Sequence, residues 1–371
     1  MKSRYNLPFK GILFLGLICF TSAPAFAQFD LAGEILRSGQ EDANILLREY
    51  FKPVGNGFGA DLNSGWFSTA KTHQVLGFDV TVNASMALVP DIDQAFNVVD
   101  LESQFNTLEY LGGPQESPTI AGDETPGSTV GATFFNPATA STETLFEFDM
   151  PEGSGFPYVP APMIQASVGI VKNTDITLRW LPQIPLPNDL ELNLFGLGVK
   201  HGLNQWLPGG KLLPVDLSVQ AGFTNLDASV NFDVQPEVDA ETENPFPAST
   251  WEGQKAEFSA SAFTINALVG KTLPFISVFA GVGYETSTVD ISTPGTYPIV
   301  VPNTQFNPSD PNSQPKIVDT VENPVDLSYD GSNSIHGLIG ARLRLFVLNI
   351  SASYTIADYP VGQIGIGFGF R

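Results

Sequence analysis

Apolar and polar residues alternate without a break over "FDVTVNASMAL" (Phe78–Leu88). Phe78, Val80, Val82, Ala84, Met86 and Leu88 fall on one side, and Asp79, Thr81, Asn83 and Ser85 on the other. A period of two is that of a β-strand with two unlike faces. The pattern returns in "MIQASVGIV" (163–171), "ITLRW" (176–180), "PVDLSVQAGF" (214–223), "FISVFAGVGYETST" (275–288), "LNISASYTI" (348–356) and "QIGIGFGFR" (363–371). Ala60–Ala70, Leu190–Lys200, Lys255–Gly270 and Ser334–Phe346 are less regular strand candidates. The Lys255–Gly270 run changes parity between Ala262 and Phe263, which predicts a β-bulge. Such a chain either buries its apolar faces in a sandwich or turns them to lipid and encloses the polar faces in a barrel. The good runs are about nine to eleven residues long, the length a tilted strand needs to cross the apolar layer.

Loop length and charge favour the barrel. Short connections, "KNT" (172–174), "KTLP" (271–274) and the step at Phe346–Val347, alternate with long ones near 91–159, 233–253 and 290–333. Short turns at one end and long loops at the other are the habit of outer-membrane barrels. The first long loop holds twelve acidic residues and no Lys or Arg. The second and third hold six acidic residues each, with Lys316 as the one base between them. Lys71, Lys172, Lys200, Lys211, Lys271, Arg342, Arg344 and Arg371 gather towards the other end. A soluble protein with acidic loops has no reason to sort its charges this way. The expected fold is all-β: a transmembrane antiparallel β-barrel of 10–14 strands, closed because hydrocarbon leaves no backbone group unpaired.

The N-terminus has the form of a secretory signal peptide over residues 1–27. Lys2, Arg4 and Lys10 precede an apolar stretch, "GILFLGLICF" (11–20), and Ala25-Phe26-Ala27 supplies a small-x-small cleavage site. The sole cysteine, Cys19, lies in that stretch behind Ile18, where a lipoprotein signal wants a small residue. The processed chain is therefore expected to have no cysteine, which excludes disulfides and thiol catalysis. Loss of three basic residues takes the formal net charge from -22 to -25. That acidity argues against nucleic acid as a partner.

Between signal and barrel, residues 28–58 are expected to form a helical segment. "SGQEDANILLREYFKP" places Ser38 and Glu41 at capping-box spacing and Pro53 after the helix end. The helix is either a periplasmic tail or a plug entering the barrel assigned to 59–371. Inward glycines at 281, 283, 365, 367 and 369 would leave room for a plug, though they also ease strand curvature. Eleven strand candidates conflict with the even number usual in bacterial barrels. Either the Ala60–Ala70 segment lies in the lumen or a further strand hides in 91–159.

"GVKHGLNQWLPGGKLLPVDLSVQAGFT" (198–224), "GARLRLFVLNISASYT" (340–355) and the "GIGFGFR" end resemble an uncharacterised family of outer-membrane β-barrels found in Bacteroidota-type bacteria. "FGADLNSGWFSTAKTHQVLGFDVTVNASMALVPD" (58–91) carries the same resemblance. The resemblance implies fold and an outer-membrane location in a Gram-negative bacterium, without an activity. It also implies lipid, lipopolysaccharide and the barrel-assembly machinery as partners. A looser likeness is to FadL-type hydrophobic-solute channels, which also pair a barrel with an N-terminal hatch. Those barrels usually end in an aromatic residue; here Phe370 is penultimate and Arg371 last.

Catalytic signals are thin, and no enzyme is expected. Ser334 and His336 share a strand face, but a third hydrolase member is not evident. His201 is assigned to a short turn beside an interfacial Trp206. No His/Cys/Glu set has transition-metal spacing, and no cofactor is implied. Asp91-Ile92-Asp93 and "DAETEN" (239–244) are candidates for weak calcium binding, and the acidic loops for divalent cations bridging to lipopolysaccharide. Asp79, Arg179, Asp216, Glu285, His336, Arg342 and Arg344 are the candidate lumen-lining residues, with the three arginines paired to Asp79, Asp216 or Glu285. The expected function is passive transport of a small solute, hydrophobic ones included. The alternatives are a closed structural or surface-interaction barrel and, behind it, a membrane lipid hydrolase.

Overall fold

The computed structural model describes residues 40–136, 140–181, 190–231, 233–236, 238–239, 241–307, 309–310, 313–331 and 333–370. The expected signal peptide lies outside the described residues, as does Ser38 of the capping box. Ten strands form the wall: β1 (Phe78–Leu88), β2 (Tyr158–Ile170), β3 (Thr174–Leu181), β4 (Glu191–Gly202) and β5 (Asp216–Asn231), then β6 (Lys255–Thr272), β7 (Ile276–Ser292), β8 (Ser334–Leu345), β9 (Leu348–Ile356) and β10 (Val361–Phe370). Each pairs antiparallel with its neighbours in the chain, and β1 pairs with β10 to close the ring. The eleventh candidate, Ala60–Ala70, is not a wall strand: it runs through the lumen. The bulge expected in β6 is absent, because its register runs unbroken against both β5 and β7. Ala260, Ala262, Thr264 and Asn266 form one buried inward face there, and Phe263 and Ile265 are exposed.

The barrel is inside-out relative to a soluble protein. Asn83, Ser85, Gln165, Thr177, Gln220, Thr264 and Asn266 are buried, while Phe78, Val80, Leu178, Phe195, Leu197, Phe223, Val282 and Phe368 are exposed. An apolar surface of this extent on a closed barrel is a lipid-facing belt. Among the described residues, no helix is long and apolar enough to cross a membrane. The strands are what span it.

Residues 171–173, 273–275 and 346–347 connect strands at one end; residues 89–157, 232–254 and 293–333 at the other. The separation is looser than expected. Residues 203–215 lie at the short-turn end, and the four-residue step 357–360 lies at the long-loop end. The long loops fold into a cap of small sheets. One joins Glu109–Gly112, Thr129–Asn136 and Ser141–Asp149, and another joins Thr242–Glu243, Lys316–Glu322 and Thr296–Pro302.

Helix α1 (Gln40–Asn63) begins inside this cap. Ala43, Leu46 and Leu47 share an apolar core with Val98, Leu108, Val130, Phe148 and Tyr297. The helix does not stop before Pro53: it carries that residue inside and continues to Asn63. Proline removes one intrahelical hydrogen bond, and three glycines follow. Local propensity is overridden by fit. A Cβ on Gly55, Gly57 or Gly59 would come within 2.4 Å of Tyr329, 2.4 Å of Val159 or 2.2 Å of Ser287. Only glycine lets the helix lie this close to the wall. The barrel proper starts at Phe78, where the sequence alone placed its start at residue 59.

Candidate functional site

The candidate site is the contact between the wall and the segment 40–77 that fills it. At the top, Asp42 is buried, and its carboxylate accepts the backbone N–H groups of Asn106, Thr107 and Leu108 at 2.7, 2.9 and 2.9 Å. Lys52 meets Asp93 at 2.7 Å. The Tyr359 hydroxyl donates to Asp93 at 2.6 Å and accepts from Asn56 at 3.3 Å. These contacts tie α1 to the loop after β1 and the step before β10.

At the lower end of α1, β3 supplies Arg179. Its side chain is fully buried. Nη1 donates to the Leu62 carbonyl at 2.8 Å, Nη2 to Ser64 at 2.5 Å and Nε to Gln165 at 3.1 Å. Leu62 and Ser64 flank the C-terminus of α1, where unpaired carbonyls carry partial negative charge. Arg179 thus caps the helix from the wall. Its guanidinium also lies 3.7 Å from the centre of the Trp66 ring. Trp66 sits in a cradle of glycines. A Cβ at Gly222 would fall 2.3 Å from the indole, and one at Gly198 2.6 Å.

The segment leaves through the short-turn end. Lys200 donates to the carbonyls of Thr69 and Lys71 at 3.2 and 3.1 Å and pairs with Asp175 at 3.1 Å. His73 sits between Asp79 at 2.9 Å and Asp175 at 3.1 Å. Burial pulls the His73 pKa down, but hydrogen bonds to Asp175 and Asp79 outweigh it and raise the value overall. β1, β3 and β4 are thereby joined through the exit segment.

The expected lumen residues separate into two groups. Asp79, Arg179, Glu285 and His336 are buried inside the barrel. Arg342 is partly buried and its Nη1 donates to Ser68 at 3.4 Å, whereas Asp216 and Arg344 lie near the short-turn rim, with Arg344 exposed and donating to the Phe346 carbonyl at 3.3 Å. The expected arginine–carboxylate pairs do not form among the described residues: Arg179 spends its donors on two backbone carbonyls and the Gln165 side chain instead. Glu285 meets His336, Oε2 to Nδ1 at 3.0 Å, and the other ring nitrogen lies 2.7 Å from Asn266. His336 is therefore engaged by two wall residues and is not turned to Ser334. The glycines at 281, 283, 365, 367 and 369 face wall side chains such as Leu268, Asn266 and Asn83, not the lumen segment. Room for that segment comes from Gly196, Gly198 and Gly222.

Trp66, His73, Asp175 and Lys200 were not among the expected residues. Asp175 was within reach, since it shares the parity of Thr177 and Arg179. Trp66 was hard to single out, because "NSGWFSTAK" falls in the irregular Ala60–Ala70 strand candidate and has no clean period to assign its side chain a face. One carboxylate of each calcium candidate is engaged from within. Asp93 takes Lys52 and Tyr359. The Thr242 hydroxyl and then Lys316 hold the Asp239 pKa down to about 2. Among the described residues there is no group of three or more His, Cys, Asp or Glu suited to a metal ion.

Beside the segment, a cavity of about 10 Å³ is lined by Asn63, Phe67, Glu285, His336, Ser353 and Thr355. It has room for roughly one water. A larger cavity of about 320 Å³ lies at the long-loop end against Glu191, Asp227, Glu257 and Asp290. Glu191 and Asp227 share the outward parity of Phe195 and Phe223.

A family described as "Family of unknown function (DUF6588)" matches residues 5–370. No curated protein matches. Among solved structures, the chain is similar to the translocator domain of autotransporter NalP from Neisseria meningitidis (11% identity, 81% of this chain and 90% of that one, TM-score 0.29). It is also similar to Ail, the attachment invasion locus protein of Yersinia pestis (9% identity, 80% and 100%, TM-score 0.26). A third is the transport unit of the autotransporter AIDA-I from Escherichia coli (10% identity, 86% and 99%, TM-score 0.28).

Proposed function

The chain belongs to DUF6588, a family of unknown function, and from that premise we propose a closed outer-membrane barrel of a Gram-negative bacterium whose acidic loop cap is the part that works at the cell surface. The observation that carries this is the filled lumen. Arg179, the Trp66 cradle and Lys200 hold the chain's own segment across the barrel, and the cavity beside it at Phe67 and His336 admits about one water. In this reading the barrel is an anchor. Lipid and lipopolysaccharide meet its belt, the assembly machinery inserts it, and divalent cations gather at the acidic end.

A second reading keeps the barrel as a passive channel with segment 40–77 as its gate. It is favoured by buried polar atoms on the segment that lack a hydrogen-bond partner, among them Asn63 Oδ1 and Trp66 Nε1. An interface with such defects separates more readily than a fully satisfied one. The wall around it is polar, through Asn83, Gln165, Gln220 and Asn266. A small polar solute fits it better than a hydrophobic one.

Conductance in planar bilayers separates the readings. The closed barrel predicts no channel steps for the intact protein and steady steps once residues 40–71 are deleted. Frequent openings of the intact protein would favour the gated channel.

A further inference from the structure

The turns at the short-turn end are apolar where loop tips in water are ordinarily polar. Every connection there exposes a large apolar side chain. Leu76 precedes β1, and Val171 lies between β2 and β3. Trp206 and Leu212 lie between β4 and β5, Phe275 between β6 and β7, and Phe346 between β8 and β9. Phe346 is 94% exposed and Leu212 89%. Two of these residues hold their place against backbone preference. Leu76 and Phe346 have φ of 62° and 57°, in the left-handed region that glycine or asparagine enters with less strain. Neither side chain is buried by its own protein in return. The compensation must come from outside the chain.

The occupant follows from two further observations. The apolar tips continue the lipid-facing belt without a polar break, since Phe78, Phe370, Ile170, Ile276 and Leu345 are exposed at the strand ends beside them. At the opposite end the outward positions turn polar before the strands finish, at Asn225, Asp227 and Ser229 of β5 and at Ser259 and Glu257 of β6. Charge complements this. Lys71, Lys172, Lys271 and Arg344 are exposed among the apolar tips, while Asp79 and Asp175 at that end are buried and paired and Asp216 is half-buried on the inward parity of Ser218 and Gln220.

We propose that the short-turn end is a phospholipid-binding collar: its apolar tips enter the acyl region of the adjoining leaflet, and Lys71, Lys172, Lys271 and Arg344 bind the phosphates of anionic phospholipid. This rests on the membrane-spanning reading of the barrel. Long cationic side chains beside apolar anchors suit such an interface, with stems in hydrocarbon and heads at the phosphates.

Tryptophan quenching in vesicles tests it. Trp180 faces outward in mid-belt, whereas Trp66 and Trp251 are buried. A Trp180→Phe protein therefore leaves Trp206 as the lipid-accessible indole, and Trp206→Phe leaves Trp180. In phosphatidylcholine vesicles brominated near the glycerol end of the acyl chain, Trp206 emission should fall about twofold, with little quenching by aqueous iodide. Spin-labelled phosphatidylglycerol should quench Trp206 about threefold more than spin-labelled phosphatidylcholine. That preference should vanish in K71Q/K172Q/K271Q/R344Q. Quenching of Trp206 by iodide and not by bromolipid, with Trp180 still quenched by bromolipid, would overturn the collar and leave the barrel standing. Loss of bromolipid quenching at Trp180 would overturn the membrane-spanning reading itself. Equal quenching by the two spin-labelled lipids would overturn the role of the four bases.

Discussion

Replacing Arg179 with methionine should loosen the lumen segment without unfolding the barrel. The guanidinium makes two hydrogen bonds to the segment, to the Leu62 and Ser64 carbonyls, and lies over Trp66. A hydrogen bond to a charged group is worth about 1.5–3 kcal/mol, and a desolvated cation–π contact about 2 kcal/mol. The gross loss is then about 5–8 kcal/mol, against which stands a burial penalty of several kcal/mol for the guanidinium itself. A net loss of about 3 kcal/mol is the central expectation, roughly a 150-fold shift towards the displaced segment. The barrel seam pairs β1 with β10 and does not involve Arg179, so heat-modifiable gel mobility should stay as in the unmodified protein. Single-channel recording is the assay: Arg179→Met should open in bursts, and Arg179→Lys, which keeps the charge without the planar fork, should fall between. A folded Arg179→Met protein as silent as the parent would refute the idea that this residue holds the segment.

Three further outcomes follow from the same contacts. Gly222→Val would place a side chain where the Trp66 ring now lies, since even a Cβ there would be 2.3 Å from it; the segment should become cleavable by added protease near Ser64–Lys71 while the strands remain protected. His73 has a folded pKa raised above 6.5, so its contribution is fully present below that value and fades as pH rises through the folded value. Protease sensitivity of the exit segment should therefore increase on the alkaline side, and His73→Gln should flatten that dependence. His336→Ala should lower barrel stability by about 3 kcal/mol in denaturant titration, because Glu285 is left buried without its partner.

The wall was legible because its chemistry repeats every second residue. Phe78–Leu88 and Gln363–Phe370 are pure alternations, and lipid on one side with a polar lumen on the other leaves them no other register. The lumen segment was harder. The Gln40–Pro53 half shows a helical pattern, but "GNGFG" (55–59) has the composition of a loop. It is helical because its missing side chains let it approach Val159 and Ser287, and that cause lies far away in the chain. Arg179 could be seen to face inward. Its partners on the segment could not, since two are backbone carbonyls at a helix end, and a carbonyl has no residue type to recognise. The inward glycines illustrate the same limit. Parity showed which ones point to the lumen, but not whether a wall side chain or a tryptophan fills the space.

Hydrogen–deuterium exchange on the folded protein in detergent micelles tests the central claim most directly: a helix threaded through a barrel whose apolar face meets lipid. The amides of residues 46–63 should exchange as slowly as those of β5, β6 and β7, orders of magnitude slower than an isolated helix containing Pro53 and three glycines. Rapid exchange across that stretch, beside protected strands, would place the helix outside the barrel and contradict the account.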